Sequence, residues 1–126
     1  MTKTDGSGVL TSIMDAIVLT TGSQTAEVEI LDEASALLQM SFTKGTETNM
    51  TFNIMLSTDD GTTYFDAFRG LVPVEETFTA TSLERYSLLL PGFVNKLKVS
   101  AIATGTPTGT ITVGMRRSSV NNPISI

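Results

Sequence analysis

The chain has 126 residues, 40% of them hydrophobic, and a formal net charge of −5, which suits one domain built around one core. Cysteine and histidine are both absent, so disulfides, thiolate nucleophiles, imidazole bases and soft-metal sites are excluded. Carboxylates and lysines remain for acid–base work and no basic stripe is visible, so the chain reads as non-enzymatic, without a cofactor and without direct nucleic-acid binding.

Met1 to Gly8 is polar and glycine-containing and reads as a flexible N-terminal arm. The first 22 residues lack the pattern of a signal peptide or a membrane span, so no membrane association is expected. Leu10, Ile13, Met14, Ile17 and Val18 have helical spacing, whereas the β-branched content from Ala16 to Thr20 favours a strand there. Gly22-Ser23-Gln24 predicts a turn. In Thr25 to Leu31, Ala26, Val28 and Ile30 alternate with Glu27 and Glu29, the pattern of a half-buried strand.

Ser35 to Thr43 predicts the next strand, with Ala36, Leu38, Met40 and Phe42 on one face. After a turn at Lys44-Gly45-Thr46, Met50, Phe52, Ile54 and Leu56 alternate into Ser57-Thr58-Asp59-Asp60-Gly61-Thr62-Thr63-Tyr64. Asp60-Gly61 supplies the positive φ angles of a tight hairpin turn, and Thr63 to Phe68 is expected to return across it. An irregular connection through Pro73 leads to short strands at Thr77 to Thr81 and Tyr86 to Leu90. Pro91-Gly92 ends the second, and Val94 to Ala103 and Thr110 to Met115 follow, separated by a Gly-Thr loop.

About eight or nine short strands at this spacing predict an all-β fold, an antiparallel β-sandwich that is jelly-roll-like or immunoglobulin-like. Residues 1–126 form one domain in this reading, with arm 1–8 and a C-terminal extension over 117–126.

Three groups could carry chemistry. Asp59, Asp60 and Asp66 could gather around calcium, but they read more simply as turn and strand residues, and no metal site is assigned. Glu27, Glu29, Asp32 and Glu33 are neighbours along one segment rather than carboxyls facing across a cleft, so they read as a solvated face. Arg116-Arg117 reads as a solvated strand end, and the Asn49-Met50-Thr51 sequon as accidental. Tyr64 and Phe65 are sequence neighbours and face opposite sides of a regular strand, so one of the two is a candidate contact residue. The tail residues Pro123, Ile124 and Ile126 are the other candidate interface residues, since an apolar tail gains most by docking on a neighbour.

Ser57, Asp59, Gly61, Thr63 and Tyr64 fit the pattern S-x-D-x-G-x-T-aromatic, which resembles the Asp-box of sialidases and extracellular β-proteins; the resemblance implies a structural turn. Together with Leu88 to Gly92, Leu97 to Ala103 and Gly105 to Val113, the segment Asn53 to Tyr64 resembles small tailed-bacteriophage virion proteins of the capsid decoration and head-accessory type. That resemblance spans roughly Ser35 to Met115, with Tyr64 where such proteins often carry tryptophan. It implies a virion protein assembled in the host cytoplasm, binding the major capsid protein or other virion subunits as a homo-oligomer, a trimer being one form. A carbohydrate-binding or adhesion module, with Tyr64 or Tyr86 stacking on sugar, and a neck, tail or baseplate subunit are the alternatives.

Overall fold

The computed structural model describes residues 10–31, 33–69 and 71–118. Their strands are β1 (Leu10–Val18), β2 (Gly22–Glu29), β3 (Ser35–Thr43), β4 (Glu47–Ser57), β5 (Phe65–Asp66), β6 (Phe68–Arg69), β7 (Val72–Pro73), β8 (Glu75–Phe78), β9 (Ser82–Leu89), β10 (Lys96–Gly105) and β11 (Thr110–Ser118). One sheet runs β1-β11-β3-β9; the other runs β2-β10-β4, with β5 and β8 following one another along the free side of β4. All of these pairings are antiparallel.

The pairings are nested. β1 pairs with β11, β2 with β10, β3 with β9 and β4 with β8, as in one long folded ribbon. That ribbon is rolled up so that β11 also meets β3 and β10 also meets β4. This is jelly-roll connectivity, and it decides between the two sandwich types left open by the sequence.

The alternation along each strand sets the core between the sheets. Leu38, Met40 and Phe42 from β3 and Phe52 and Ile54 from β4 are fully buried, together with Leu97 and Val99 from β10 and Ile111, Val113 and Met115 from β11. Phe52 and Tyr86 meet across the sheets with ring centroids 5.5 Å apart. Truncating Phe52 to alanine in such a setting costs about 3–5 kcal/mol.

Several boundaries differ from the sequence reading. β1 begins at Leu10, and its helix-like spacing comes from two register shifts, between Ser12 and Met14 and between Met14 and Ile17. Ala16 lies there at φ +48°, so extra residues break the two-residue period and mimic a longer one. The expected turn at Gly22 is instead the start of β2. β8 ends at Phe78 because pairing with β4 sets Phe78 opposite Met50 and Thr77 opposite Thr51. β11 continues through Arg117 and Ser118, which pair with Ala36 and Ser35, past the boundary expected for a C-terminal extension.

Candidate functional site

The loop between β4 and β5, residues 58–64, is organised by two side chains. Ser57 Oγ accepts hydrogen bonds from the amides of Asp59 (3.2 Å) and Gly61 (2.9 Å) and donates to Asp59 Oδ1 (2.7 Å). The Asp59 carboxylate also accepts from the Thr63 amide (2.9 Å) and from the Thr63 hydroxyl. These bonds, those from Thr63 foremost, hold its pKa at about 2. Asp60 and Gly61 both have positive φ, +61° and +91°, and the Thr62 amide reaches the Asp59 carbonyl. That turn is nested in a longer loop, and β5 pairs with β4 only at Met55 and Leu56, so the return strand is far shorter than Thr63 to Phe68.

Asn95 docks this loop on β10. Its side-chain oxygen accepts from the Asp60 amide (2.9 Å), and its backbone amide donates to the Ser57 carbonyl (2.9 Å). The three aspartates do not converge: Asp60 faces Lys96 at 3.9 Å, Asp66 meets Asn53, and Asp59 is taken up by the turn. Among the described residues no three His, Cys, Asp or Glu side chains form a group that could hold a metal.

Tyr64 lies across the outer face of the five-stranded sheet. Its hydroxyl donates to Glu27 Oε2 at 2.6 Å, and Lys98 Nζ sits 4.3 Å from the ring centroid. Burial, then the Glu27 bond and charge, push its pKa up to about 12. Phe65 shares the face of Leu56, yet at the rim of the sandwich it stays exposed. Tyr86 is completely buried, so the expectation that it could stack on a sugar is overturned: its alternation places it in the core. Arg117 is likewise no solvated strand end. Its guanidinium donates to the Glu29 carbonyl (3.0 Å) and to Thr11 (3.4 Å) and faces Glu33 at 4.0 Å, bridging the two sheets. Asp32 and the candidate tail residues Pro123, Ile124 and Ile126 lie outside the described residues.

The two ends of the sandwich differ in chemistry. At one end Glu47 is fully buried, and its carboxylate accepts from the amides of Gly45 (2.8 Å), Thr108 (3.0 Å) and Gly109 (2.9 Å). Burial alone would raise its pKa, but the three amides outweigh burial and hold it at about 2. Thr46 bonds to Thr106 and Thr108 beside it, and the Leu19 amide reaches Gly109, which closes this end with small polar residues. At the other end, the β2–β3 and β9–β10 crossings are joined by bonds from Ile30 to Asn95 and from Leu90 to Ala34. Leu31 and Phe93 are 78% and 67% exposed on those crossings, and Leu89, the last residue of β9, is 77% exposed.

A second apolar feature is the β6–β7 ribbon. It leaves the edge of the five-stranded sheet between Ala67 and Val74, which are buried and bonded to each other and to Ile54. Its outer residues Phe68, Leu71 and Val72 are exposed, Leu71 almost fully at 95%. Neither apolar surface was singled out from the sequence, apart from Phe65 beside the ribbon.

No protein-family model and no curated protein sequence matches the chain. Solved structures share its fold at low identity. A Bacillus endospore appendage protein, from disulfide-linked pili, is 7% identical with a TM-score of 0.57, covering 90% of this chain and 88% of that one. The SPBc2 prophage-derived protein YomS is 13% identical with a TM-score of 0.55, covering 87% and 92%. The VP2 subviral particle of infectious bursal disease virus is 12% identical with a TM-score of 0.54, covering 91% of this chain and 33% of that one. At these identities the likeness is one of fold. Among the described residues no helix is long and apolar enough to cross a membrane.

Proposed function

We propose that this protein is a non-enzymatic structural subunit of a tailed-bacteriophage virion, a decoration or stabilising protein that binds the major capsid protein as a homo-oligomer. The observation that carries the reading is the apolar end of the sandwich, where Leu31 and Phe93 stand exposed on two adjacent crossings and Leu89 at the end of β9. Clustered large apolar side chains on a surface mark contact sites rather than solvent-facing loops. The opposite end is closed around Glu47, whose carboxylate is buried among backbone amides. The fold shared with a prophage-derived protein and with a viral particle supports the same reading.

Such a subunit acts by mass action: contacts made only with the assembled shell stabilise the shell, and symmetric copies compound small individual gains. Phe65 and the tail residues Pro123, Ile124 and Ile126 are proposed as further contacts, from their apolar character. Co-sedimentation of the purified protein with shells lacking it tests the reading. Wild-type protein should pellet with the shells in a ratio matching their capsomers, and Phe93→Asp should not. A copy number of a few per particle would move the protein to the neck or tail, and no binding to any virion component would overturn the reading.

A further inference from the structure

β9 ends the four-stranded sheet and, among the described strands, pairs with β3 alone. Its register runs from Ser35↔Leu89 to Phe42↔Ser82 without a shift, and just beyond it the Leu90 amide donates to the Ala34 carbonyl. Antiparallel pairing alternates, so the even-numbered residues of β9 turn their backbone groups to β3, while Leu83, Arg85, Ser87 and Leu89 turn theirs outward. Among the described residues no hydrogen bond meets those outward groups, and β6, which comes close to β9 from the other sheet, does not pair with it. An open strand edge is a template for another strand, and proteins blunt such edges by bulges, charge, short length or cover. β1 carries two register shifts, β2 presents Glu27 and Glu29 and has its Glu29 carbonyl taken by Arg117, and β5 and β8 are two and four residues long. β9 instead is regular over eight residues, and its outer face carries Leu83, Arg85, Ser87 and Leu89 with both leucines exposed.

We infer that β9 pairs antiparallel with β9 of a second copy across a two-fold axis, joining the two four-stranded sheets into one. The sequence of β9 selects the register. Opposed residues must share a face, which rules out pairing Ser82 with Leu89, since that would set outward Leu83 against inward Leu88. Two face-matched registers still overlap over most of the strand. One sets Arg85 opposite Arg85 of the second copy, and like charges directly opposed are destabilising. The other sets Arg85 opposite Ser87 and Leu83 opposite Leu89, with Tyr86 at the axis, so each exposed leucine gains an apolar cross-strand neighbour. In that register the outward-turned residues oppose one another, and each such pair exchanges two backbone hydrogen bonds. The contact uses the same surface on both copies and closes at a dimer. It rests on the proposed homo-oligomer and names its interface, leaving Leu31 and Phe93 for a shell.

Sedimentation velocity, amide exchange and cysteine pairing test it together. Wild type should dimerise as concentration rises, and the amides of Leu83, Arg85, Ser87 and Leu89 should then exchange at least tenfold more slowly. Ser87→Pro removes an outward N–H that β3 does not use, so it should weaken dimerisation at least tenfold while circular dichroism stays native. The chain has no cysteine, so introduced ones read the register directly. A mixture of Arg85→Cys and Ser87→Cys should form a disulfide-linked dimer, because directly opposed residues lie within disulfide reach, whereas Arg85→Cys alone sits diagonally to its own copy and should not. Should Ser87→Pro misfold, the cysteine pairing decides on an edge with its backbone intact. A wild type monomeric at every concentration, a folded Ser87→Pro that dimerises like wild type, or Arg85→Cys cross-linking alone as readily as the mixture overturns the inference. Protection of the four amides only when virion shells are added overturns it too, since a strand of another protein would then occupy the edge. Shell binding by the same samples separates the two ideas: a monomeric wild type that still pellets with shells sinks this interface alone, and a dimer that ignores every virion component sinks the virion reading alone.

Discussion

The Tyr64 hydroxyl donates a 2.6 Å hydrogen bond to Glu27 Oε2, tying the β4–β5 loop to β2 across the outer face of β10. The bond joins residues far apart in sequence and leaves Lys98 over the tyrosine ring. Tyr64→Phe should keep the fold and lower stability by about 0.5–1.5 kcal/mol, the usual net worth of such a bond. The folded pKa of Tyr64 lies at about 12, above its ordinary value of 10.0. Its contribution is therefore fully present below pH 10 and is lost as pH rises toward 12. Alkaline unfolding curves of wild type and Tyr64→Phe should converge across that window; parallel curves would show that Tyr64 is not the group responsible.

Glu47 titrates in the opposite sense. Its folded pKa of about 2 is below the ordinary 4.5, so the stability it contributes is present above pH 4.5 and is lost as pH falls toward 2. Glu47→Gln places an NH2 where backbone amides point and should cost about 1–3 kcal/mol at pH 7, as for any buried group left unmatched. Urea midpoints at pH 7 and pH 3 should show a gap between wild type and variant that narrows in acid.

Gly61→Val meets two obstacles at once. The backbone there is at φ +91°, and a Cβ would lie 3.2 Å from both Lys96 Cδ and the Tyr64 hydroxyl oxygen. The expected loss is about 1–3 kcal/mol from the backbone conformation alone. An unchanged denaturation midpoint would mean that the loop readily adopts another turn.

Asp59 has its carboxylate occupied by Ser57 and Thr63, so a calcium chelator should leave the melting temperature unchanged. Asp59→Ala should instead speed amide hydrogen exchange at Thr63, whose N–H loses its acceptor. A chelator-induced drop in melting temperature that calcium reverses would require a metal at this loop.

The sequence disclosed what simple alternation can carry. Ser35 to Thr43 coincides with β3 because Ala36, Leu38, Met40 and Phe42 keep an unbroken two-residue period. β1 was obscured by its two register shifts, which lend a strand the spacing of a helix. The burial of Tyr86 was not legible because β9 is apolar on both faces, with Leu83 and Leu89 outside and Tyr86 and Leu88 inside. The Glu47 clamp left no trace, since its donors are backbone amides, two of them about sixty residues away along the chain. The β6–β7 ribbon read as an irregular connection because two-residue strands have no period to detect.

The nested connectivity has a consequence for biosynthesis. β10 lies between β2 and β4, and β11 lies between β1 and β3, so the last of the described strands to be synthesised are inner strands of both sheets. Until they emerge from the ribosome, β1 and β2 have no sheet neighbour, and β3 and β4 each lack one. A nascent chain stopped before Lys96 therefore holds unpaired strand edges and a half-covered core, the state most prone to aggregate. Folding of the sandwich must wait for β10 and β11, and pairing over such sequence distances is slow. Stalled or truncated products of this gene should be insoluble or degraded, and yield should respond to chaperone supply and growth temperature more than to codon choice early in the message.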